Sequence, residues 1–359
     1  MLTNYYKNHL LILLFLILGF KGFSQLSKTH YIPPLTSSAF GNANPENQYI
    51  YLSTPSNKDV SYTIIPVGQP AASYITGVVS NLNPREVYIG NGNGQLFIAS
   101  TASSRVVSNQ GYIIEADDVV YVSIRMEAGG AQAGALVSKG VSALDTTFRI
   151  GTYTNANPQD NYLSFVSVMA TEDDTEVTFS NLPTGLVIKN YSGTTPIIIT
   201  LNKGDSYTIA TNSFEQTTTN RDGLIGALVT STKNIVVNCG SANGSFGTGS
   251  GRDYGIDQIA GLSKIGKEYI FVKGVGNNDW ENVLIVAHTD NTSIFINGSA
   301  TAIATINAGE YYAIQGSSYN ANGNMYVETS QDVFAYQGIG GLGNNGSPSE
   351  ANQGMFFVP

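Results

Sequence analysis

The chain is nearly empty of the side chains from which disulfide scaffolds and most active sites are built. One cysteine, Cys239, stands in 359 residues, so no internal disulfide and no multi-thiolate metal centre can form. Its place in the apolar run Ile235-VVNCG gives it the role of a small buried hydrophobe. Only His30 and His288 follow the first 25 residues. No Gly-x-Ser-x-Gly elbow and no second histidine accompany His288, so a nucleophile–histidine relay has no support. Positive charge is scarce as well. The 17 Lys and Arg face 26 Asp and Glu, a formal net charge of −9, which argues against nucleic acid and anionic membranes as partners.

Long apolar runs are missing beyond the start of the chain, so no membrane span is expected in the mature protein. The start itself has a polar opening with Lys7, an apolar core from Leu10 to Phe20, and small residues at Gly22 and Ser24. This pattern predicts a secretory signal peptide over residues 1–24, with a core too short to cross a bilayer. Removing it leaves about 335 residues, more than a single core usually serves. A secreted or cell-surface location follows, and with one cysteine the fold must rest on packing.

What is abundant is the β-strand pattern. Val, Ile, Thr, Tyr and Phe alternate with polar residues in Glu176-VTF, Pro196-IIITL and Glu310-YYAI, and turn signals such as Glu172-DD, Asn202-KGD and Asn307-AGE separate them. Six times a short apolar run reaches Ser, Thr or Asp, turns, and starts a second run. The second runs align at Val60, Val119, Val177, Ile235, Ile294 and Val333, at intervals of 58 or 59 residues except for a last one of 39. Copies two, four and six each lead into a glycine-rich loop that reaches Gln132, Gln258 or Gln353. The single unit is thus paired into double units over roughly 26–140, 141–261 and 262–359. This predicts an all-β repeat protein. In one arrangement six four-stranded meanders ring an axis as a β-propeller with pseudo-threefold pairing. In the other, three eight-stranded β-sandwiches stand in tandem. The half-unit repeat favours the propeller. The ending at Met355-FFVP reads as part of a longer protein or as a last strand that closes onto the start.

Several phrases recur in order. They are a Leu…Gly…Tyr-hydrophobic phrase (Leu262 to Phe271), Ala-x-x-Asp-x-Thr (Ala170 to Thr175; Ala287 to Thr292), and Leu/Ile-Asn-x-Gly-Asp/Glu (Leu201 to Asp205; Ile306 to Glu310). A Ser followed by a Val-containing apolar run completes the set (Ser231 to Val237; Ser330 to Val333). Together they resemble the N-terminal domain of IgGFc-binding protein and its bacterial relatives over about Thr29 to Pro359. In Bacteroidetes such domains look like the front of large secreted proteins that end in a gliding-motility-associated sorting domain. The resemblance implies an exported, surface-associated binding or adhesion domain. The cysteine-rich, disulfide-linked behaviour of animal members does not carry over to a chain with one cysteine.

The acidic groups Glu115/Asp117/Asp118 and Glu172/Asp173/Asp174 fall in the repeated turns, where Asp accepts backbone N–H bonds. No calcium-loop spacing is present, and neither a metal nor a cofactor is expected. The glycine-rich loop Gly251-RDYGIDQ carries the richest chemistry: Arg252, Asp253, Tyr254, Asp257 and Gln258 are the candidate ligand-binding residues. Trp280, in Asn277-NDWEN, is a further candidate, able to stack on a sugar ring or anchor a protein contact. The expected function is a non-enzymatic extracellular module that recognises a surface or host glycan or glycoprotein. The alternatives are a polysaccharide hydrolase or lyase using loop carboxylates such as Asp253 and Asp257, or a structural spacer.

Overall fold

The computed structural model describes residues 25–38, 43–129, 132–248, 251–341 and 353–359. The leader assigned to residues 1–24 and parts of all three glycine-rich loops lie outside the described residues. The rest is all-β, with only short 3₁₀ turns besides strands. Alternation drives the strands: in Val60–Pro66, Val60, Tyr62 and Ile64 point into the core while Ser61, Thr63 and Ile65 face outward or lie half-buried.

The strands sort into three sets. Repeat 1 comprises β1 (Ser27–Ile32), β2 (Leu35–Thr36), β3 (Pro45–Ser53), β4 (Val60–Pro66), β5 (Ile75–Val79), β6 (Arg85–Gly90), β7 (Phe97–Ile98), β8 (Val106–Val107), β9 (Tyr112–Ala128) and β10 (Gln132–Val137). Repeat 2 has β11 (Asp145–Arg149), β12 (Leu163–Ala170), β13 (Thr175–Ser180), β14 (Ile197–Leu201), β15 (Ser206–Asn212), β16 (Leu228–Gly244) and β17 (Asp253–Ile259). Repeat 3 has β18 (Gly266–Val272), β19 (Val283–Ala287), β20 (Thr292–Ile296), β21 (Ala304–Ile306), β22 (Tyr311–Ile314), β23 (Asn324–Ile339) and β24 (Gly354–Val358).

Each set has the same pairing. One long strand, β9, β16 or β23, belongs to two sheets at once. Its first half lies between the opening strand and the third-position strand, giving β5-β4-β9-β1 in repeat 1. Its second half lies in β6-β3-β9-β10. The equivalent orders are β14-β13-β16-β11 with β15-β12-β16-β17, and β21-β20-β23-β18 with β22-β19-β23-β24. The long strand changes sheet at a bend, and the opening strand skips residues opposite it. The register jumps between Ser27 and Thr29, between Asp145 and Thr147, and between Gly266 and Glu268.

This pairing replaces the propeller. Six blades would need six closed meanders, but β19 and β20 do not pair with each other; they flank opposite halves of β23. The six aligned turns are corners by which the chain crosses from one sheet to the other. In copies one, three and five the corner is a break between two strands. In copies two, four and six it is a bend inside one continuous strand. Each repeat is a two-sheet unit of seven principal strands, because the long one is counted in both layers.

The cores show how the repeats join. The core of repeat 1, with Ile50, Ile64, Ile114 and Val122, also takes in Phe165 and Tyr254 of repeat 2. That of repeat 2, with Phe148, Val166 and Cys239, takes in Leu284, Phe334 and Phe357 of repeat 3. The core of repeat 3 is its own. Cys239 is fully buried, and burial pushes its thiol up to about 12, so it is an unreactive packing group. His30 is buried too, bonded to Ser138 Oγ at 2.9 Å and to the Val120 carbonyl at 3.0 Å, and burial lowers its pKa to about 4.

The β16–β17 ladder tolerates no side chain at Gly240. Its φ is +142°, and a Cβ there would lie 2.0 Å from the Gly255 carbonyl oxygen. Gly240→Ala is expected to cost about 3 kcal/mol, read as a lower urea midpoint at an unchanged m-value.

Candidate functional site

The loop residues singled out by their chemistry converge, but inside the molecule. Strands β10 and β17 run parallel, paired at Gly134–Tyr254 and Ala135–Gly255, and β16 pairs along the other edge of β17. Among the described residues, β24 packs against β17 without a ladder to it. Asp253 and Asp257, four residues apart on β17, bridge these strands. Asp253 accepts the Ala133 N–H at 2.9 Å through Oδ1 and the Gln353 N–H at 2.7 Å through Oδ2. Asp257 accepts the Val137 N–H through Oδ1 and the Phe357 N–H through Oδ2, each at 2.9 Å, and pairs with Lys139 Nζ at 2.8 Å. Each carboxylate therefore satisfies one backbone donor of repeat 1 and one of repeat 3, where no backbone ladder connects the two.

The neighbouring candidates do similar work. Gln258 Oε1 accepts from Ser138 Oγ and the Lys139 N–H, while its Nε2 donates to the Tyr31 carbonyl. Tyr254 donates its hydroxyl to the Ala43 carbonyl at 2.6 Å. Trp280 is packed under glycines: a Cβ at Gly247, Gly251 or Gly341 would fall within 2.3 Å of its ring. Asp253, Tyr254, Asp257, Gln258 and Trp280 are all at most 6% exposed, which corrects the expectation that they meet a partner at the surface. Carboxylates held by backbone N–H groups inside a joint are likewise not available to a polysaccharide. Arg252 alone is half-buried, with its Nε shielded and unbonded. The turn acids are also accounted for: Asp173 accepts the Lys203 N–H and Asp118 the Val119 N–H.

The exposed chemistry lies elsewhere, on the outer face of the β6-β3-β9-β10 sheet. In repeats 2 and 3 the equivalent face is covered by the preceding repeat. Register makes Tyr49 equivalent to Phe165 of repeat 2. Tyr51 corresponds to Ser167 and Leu284, Tyr121 to Val236 and Phe334, and Ser123 to Asn238 and Tyr336. All of those counterparts are 0% exposed. In repeat 1 no described residue covers the face. Tyr49, Tyr51 and Tyr121 are half-buried, Tyr88 is 53% exposed, and Arg125 is exposed.

The face is ordered by its own contacts. The Arg125 guanidinium lies 4.5 Å from the centre of the Tyr51 ring, a cation–π contact. Tyr49 and Tyr88 meet edge to face at 5.5 Å, and Tyr49 and Tyr51 are tilted by 51° at 6.2 Å. Glu86 accepts the Tyr51 hydroxyl, which raises its pKa, and Asn47 Nδ2 donates to Glu127 at 2.7 Å. Arg125 continues into a groove of about 460 Å³ between β10 and β24, lined by Ala133, Ala135, Val137 and Phe356. The alternation Tyr49-Ile50-Tyr51-Leu52 signals a strand with one aromatic outer face, but no pattern in the sequence tells which outer faces are covered.

The sequence model of the family described as IgGFc binding protein matches residues 133–359, from β10 through repeats 2 and 3. The chain belongs to the IgGFc-binding family. This is a family of extracellular binding modules, not known for enzymatic activity. The matched span is shorter than the sequence phrases suggested, and most of repeat 1, including its tyrosine face, lies ahead of it. No curated protein and no solved structure matches the chain. Among the described residues no helix is long and apolar enough to cross a membrane.

The buried joint generates a pH dependence. Burial raises the Asp253 pKa from 3.8 to about 7, against the pull of its two N–H bonds. Between those values the folded chain keeps a proton on Asp253 that the unfolded chain has released, so the contribution of Asp253 to stability falls as pH rises through this window. Buried His30 acts in the opposite sense up to about pH 6.5, because there the unfolded chain takes up a proton that the folded chain refuses. The Asp253 contribution is therefore expected as a difference: in urea midpoints taken from pH 4 to 8, wild type loses ground with rising pH relative to Asp253→Asn, which cannot titrate.

Proposed function

We propose that the protein is exported through its leader and acts as a binding module at the cell surface, docking a protein or glycoprotein on the open face of repeat 1. Adhesion, in the setting of a large secreted surface protein of gliding bacteria, is the use that fits this reading. The observation that carries it is the contrast among three equivalent faces. Two are covered by the neighbouring repeat, and the third exposes tyrosines with an arginine stacked on one of them. Tyrosine and arginine are the side chains that dominate protein-interface hot spots, because they bury much area at little entropic cost.

The ring geometry favours a protein surface over a bare polysaccharide. A flat run of pyranose rings stacks best on coplanar aromatics. Here neighbouring rings are tilted by 51° and 64°, and one face of Tyr51 is occupied by Arg125. Glycan attached to a protein partner would be read at the rim, by Glu86 and Asn47.

Purified mature chain is to be tested against a panel of secreted glycoproteins and surface polysaccharides by surface plasmon resonance. For a glycoprotein that binds, Tyr51→Ala and Arg125→Ala are each expected to weaken affinity about 10- to 30-fold, corresponding to about 1.4–2 kcal/mol. The urea midpoint should change little, since both residues face solvent. Unchanged affinity in both variants would show that the partner docks elsewhere.

A further inference from the structure

The two internal joints are built by the same device, and its third copy is idle. Repeat 1 grips the face of repeat 2 with the segment that ends and follows β1. Asn238 Nδ2 donates to the Pro33 carbonyl at 2.9 Å, and Gln258 Nε2 to that of Tyr31 at 2.8 Å. Repeat 2 grips repeat 3 with the segment after β11: Tyr336 donates its hydroxyl to the Arg149 carbonyl at 2.6 Å, and its ring lies so close to Gly151 that a Cβ there would be 2.5 Å away. Register equates Thr29, Thr147 and Glu268, which face Glu115, Thr230 and Glu328, and, four residues further along, the gripping residues Pro33, Gly151 and Val272.

The third grip is therefore the segment from Val272 to Val275 at the end of β18. It holds nothing. Val272 is 65% and Val275 73% exposed, and Ile270, on the same outer side of β18 as Val272, is 71% exposed. Yet the segment is firmly built. The Lys273 N–H donates to the Gly323 carbonyl at 2.8 Å, the Gly274 and Gly276 N–H groups donate to Glu281, and Gln337 Nε2 donates to the Val272 carbonyl. Glu281 itself is 0% exposed and spends both oxygens on this task. A preformed apolar segment in water at one end of the molecule matches an uncovered aromatic face at the other.

We infer that the occupant of the repeat 1 face is a second copy of this chain, joined head to tail, with the Val272–Val275 segment of one copy seated on Tyr49, Tyr51 and Tyr121 of the next. This rests on the proposed docking role of that face. The chemistry fits, because valine side chains pack well on tyrosine rings. The contact is continuous in design with two joints already present in the chain. Its composition also differs from them in the sense that a reversible contact requires. Where the internal faces carry Phe165, Val236, Leu284 and Phe334, the open face carries the tyrosines Tyr49, Tyr121 and Tyr51, whose hydroxyls keep it soluble when uncovered. Because the two surfaces differ, the contact is heterologous. Each copy keeps one free face and one free grip, and association continues into rows.

The experiment compares three mature chains by sedimentation velocity over a concentration series: wild type, a face variant (Tyr51→Ala with Arg125→Ala), and a grip variant (Val272→Asp with Val275→Asp). All changes are at solvent-facing side chains, and circular dichroism with urea midpoints confirms that each variant is folded. Wild type is expected to form dimers and larger species as concentration rises. Each variant alone should stay monomeric, while an equimolar mixture of the two should form dimers and stop there, since one intact grip meets one intact face. Monomeric wild type at every concentration overturns the inference, as does self-association of either variant or a mixture that stays monomeric. If wild type is monomeric while the face variant loses a glycoprotein in the binding panel, the docking face stands and only the identity of its occupant is wrong. If the face variant loses neither, both readings fall.

Discussion

One strand in each repeat must belong to two sheets, and the rest of the fold follows from that constraint. A strand of 16 or 17 residues is too long for one layer of a small sandwich, so it bends where Ser, Thr, Asn or Asp interrupts its apolar alternation. The bend obliges the adjacent opening strand to skip residues, and it obliges the chain running alongside to turn a corner at the same level. Both layers are then built outward from the same backbone, and the side chains between them form one core. No disulfide is needed, because each layer is anchored to the other by covalent continuity of the long strand.

The same economy explains how three repeats become one body. A sheet closed on its inner side still has an outer face, and in repeats 2 and 3 that face is apolar enough to serve as a wall of the preceding core. Where the last strands of the repeats approach, backbone pairing holds for only two positions of β10 and β17. The remaining donors on β10 and β24 would be stranded without Asp253 and Asp257. Leaving a buried N–H without an acceptor costs about 1–3 kcal/mol, so two carboxylates serving four such groups are a substantial part of what keeps repeats 1 and 3 in place.

The sequence displays the all-β character plainly, because period-2 alternation and turn residues are local signals. It shows the six corners too, but not what they are. A break between strands and a bend within one strand use the same Ser, Thr, Asn and Asp, and only long-range pairing separates them. The polar residues of the glycine-rich stretch lie inside for a related physical reason. Arg252, Asp253, Tyr254, Asp257 and Gln258 stand out as a dense polar group in a glycine-rich stretch. Glycines, however, allow close approach of backbones, and closely approaching backbones are what buried Asp and Gln satisfy. Chemical richness there reported a joint. The tyrosine face was legible only in half: Tyr49 and Tyr51 alternate with Ile50 and Leu52, but exposure depends on whether another repeat lies above them, and that information is not local.

The carboxylate bridges also set an order of assembly. Asp253 meets Ala133, 120 residues earlier in the chain, and Gln353, 100 residues later. A chain made from its N-terminus completes the strands of repeat 1 while the acceptors for β10 are still to come. That edge waits, with its amides in water, until β17 arrives, and β17 in turn presents half-used carboxylates until β24 follows. Closure at so long a range is slow, and an edge left open in the interval is the kind of surface on which chains mis-associate. The five-residue strand β24 is thus the latch of the three repeats.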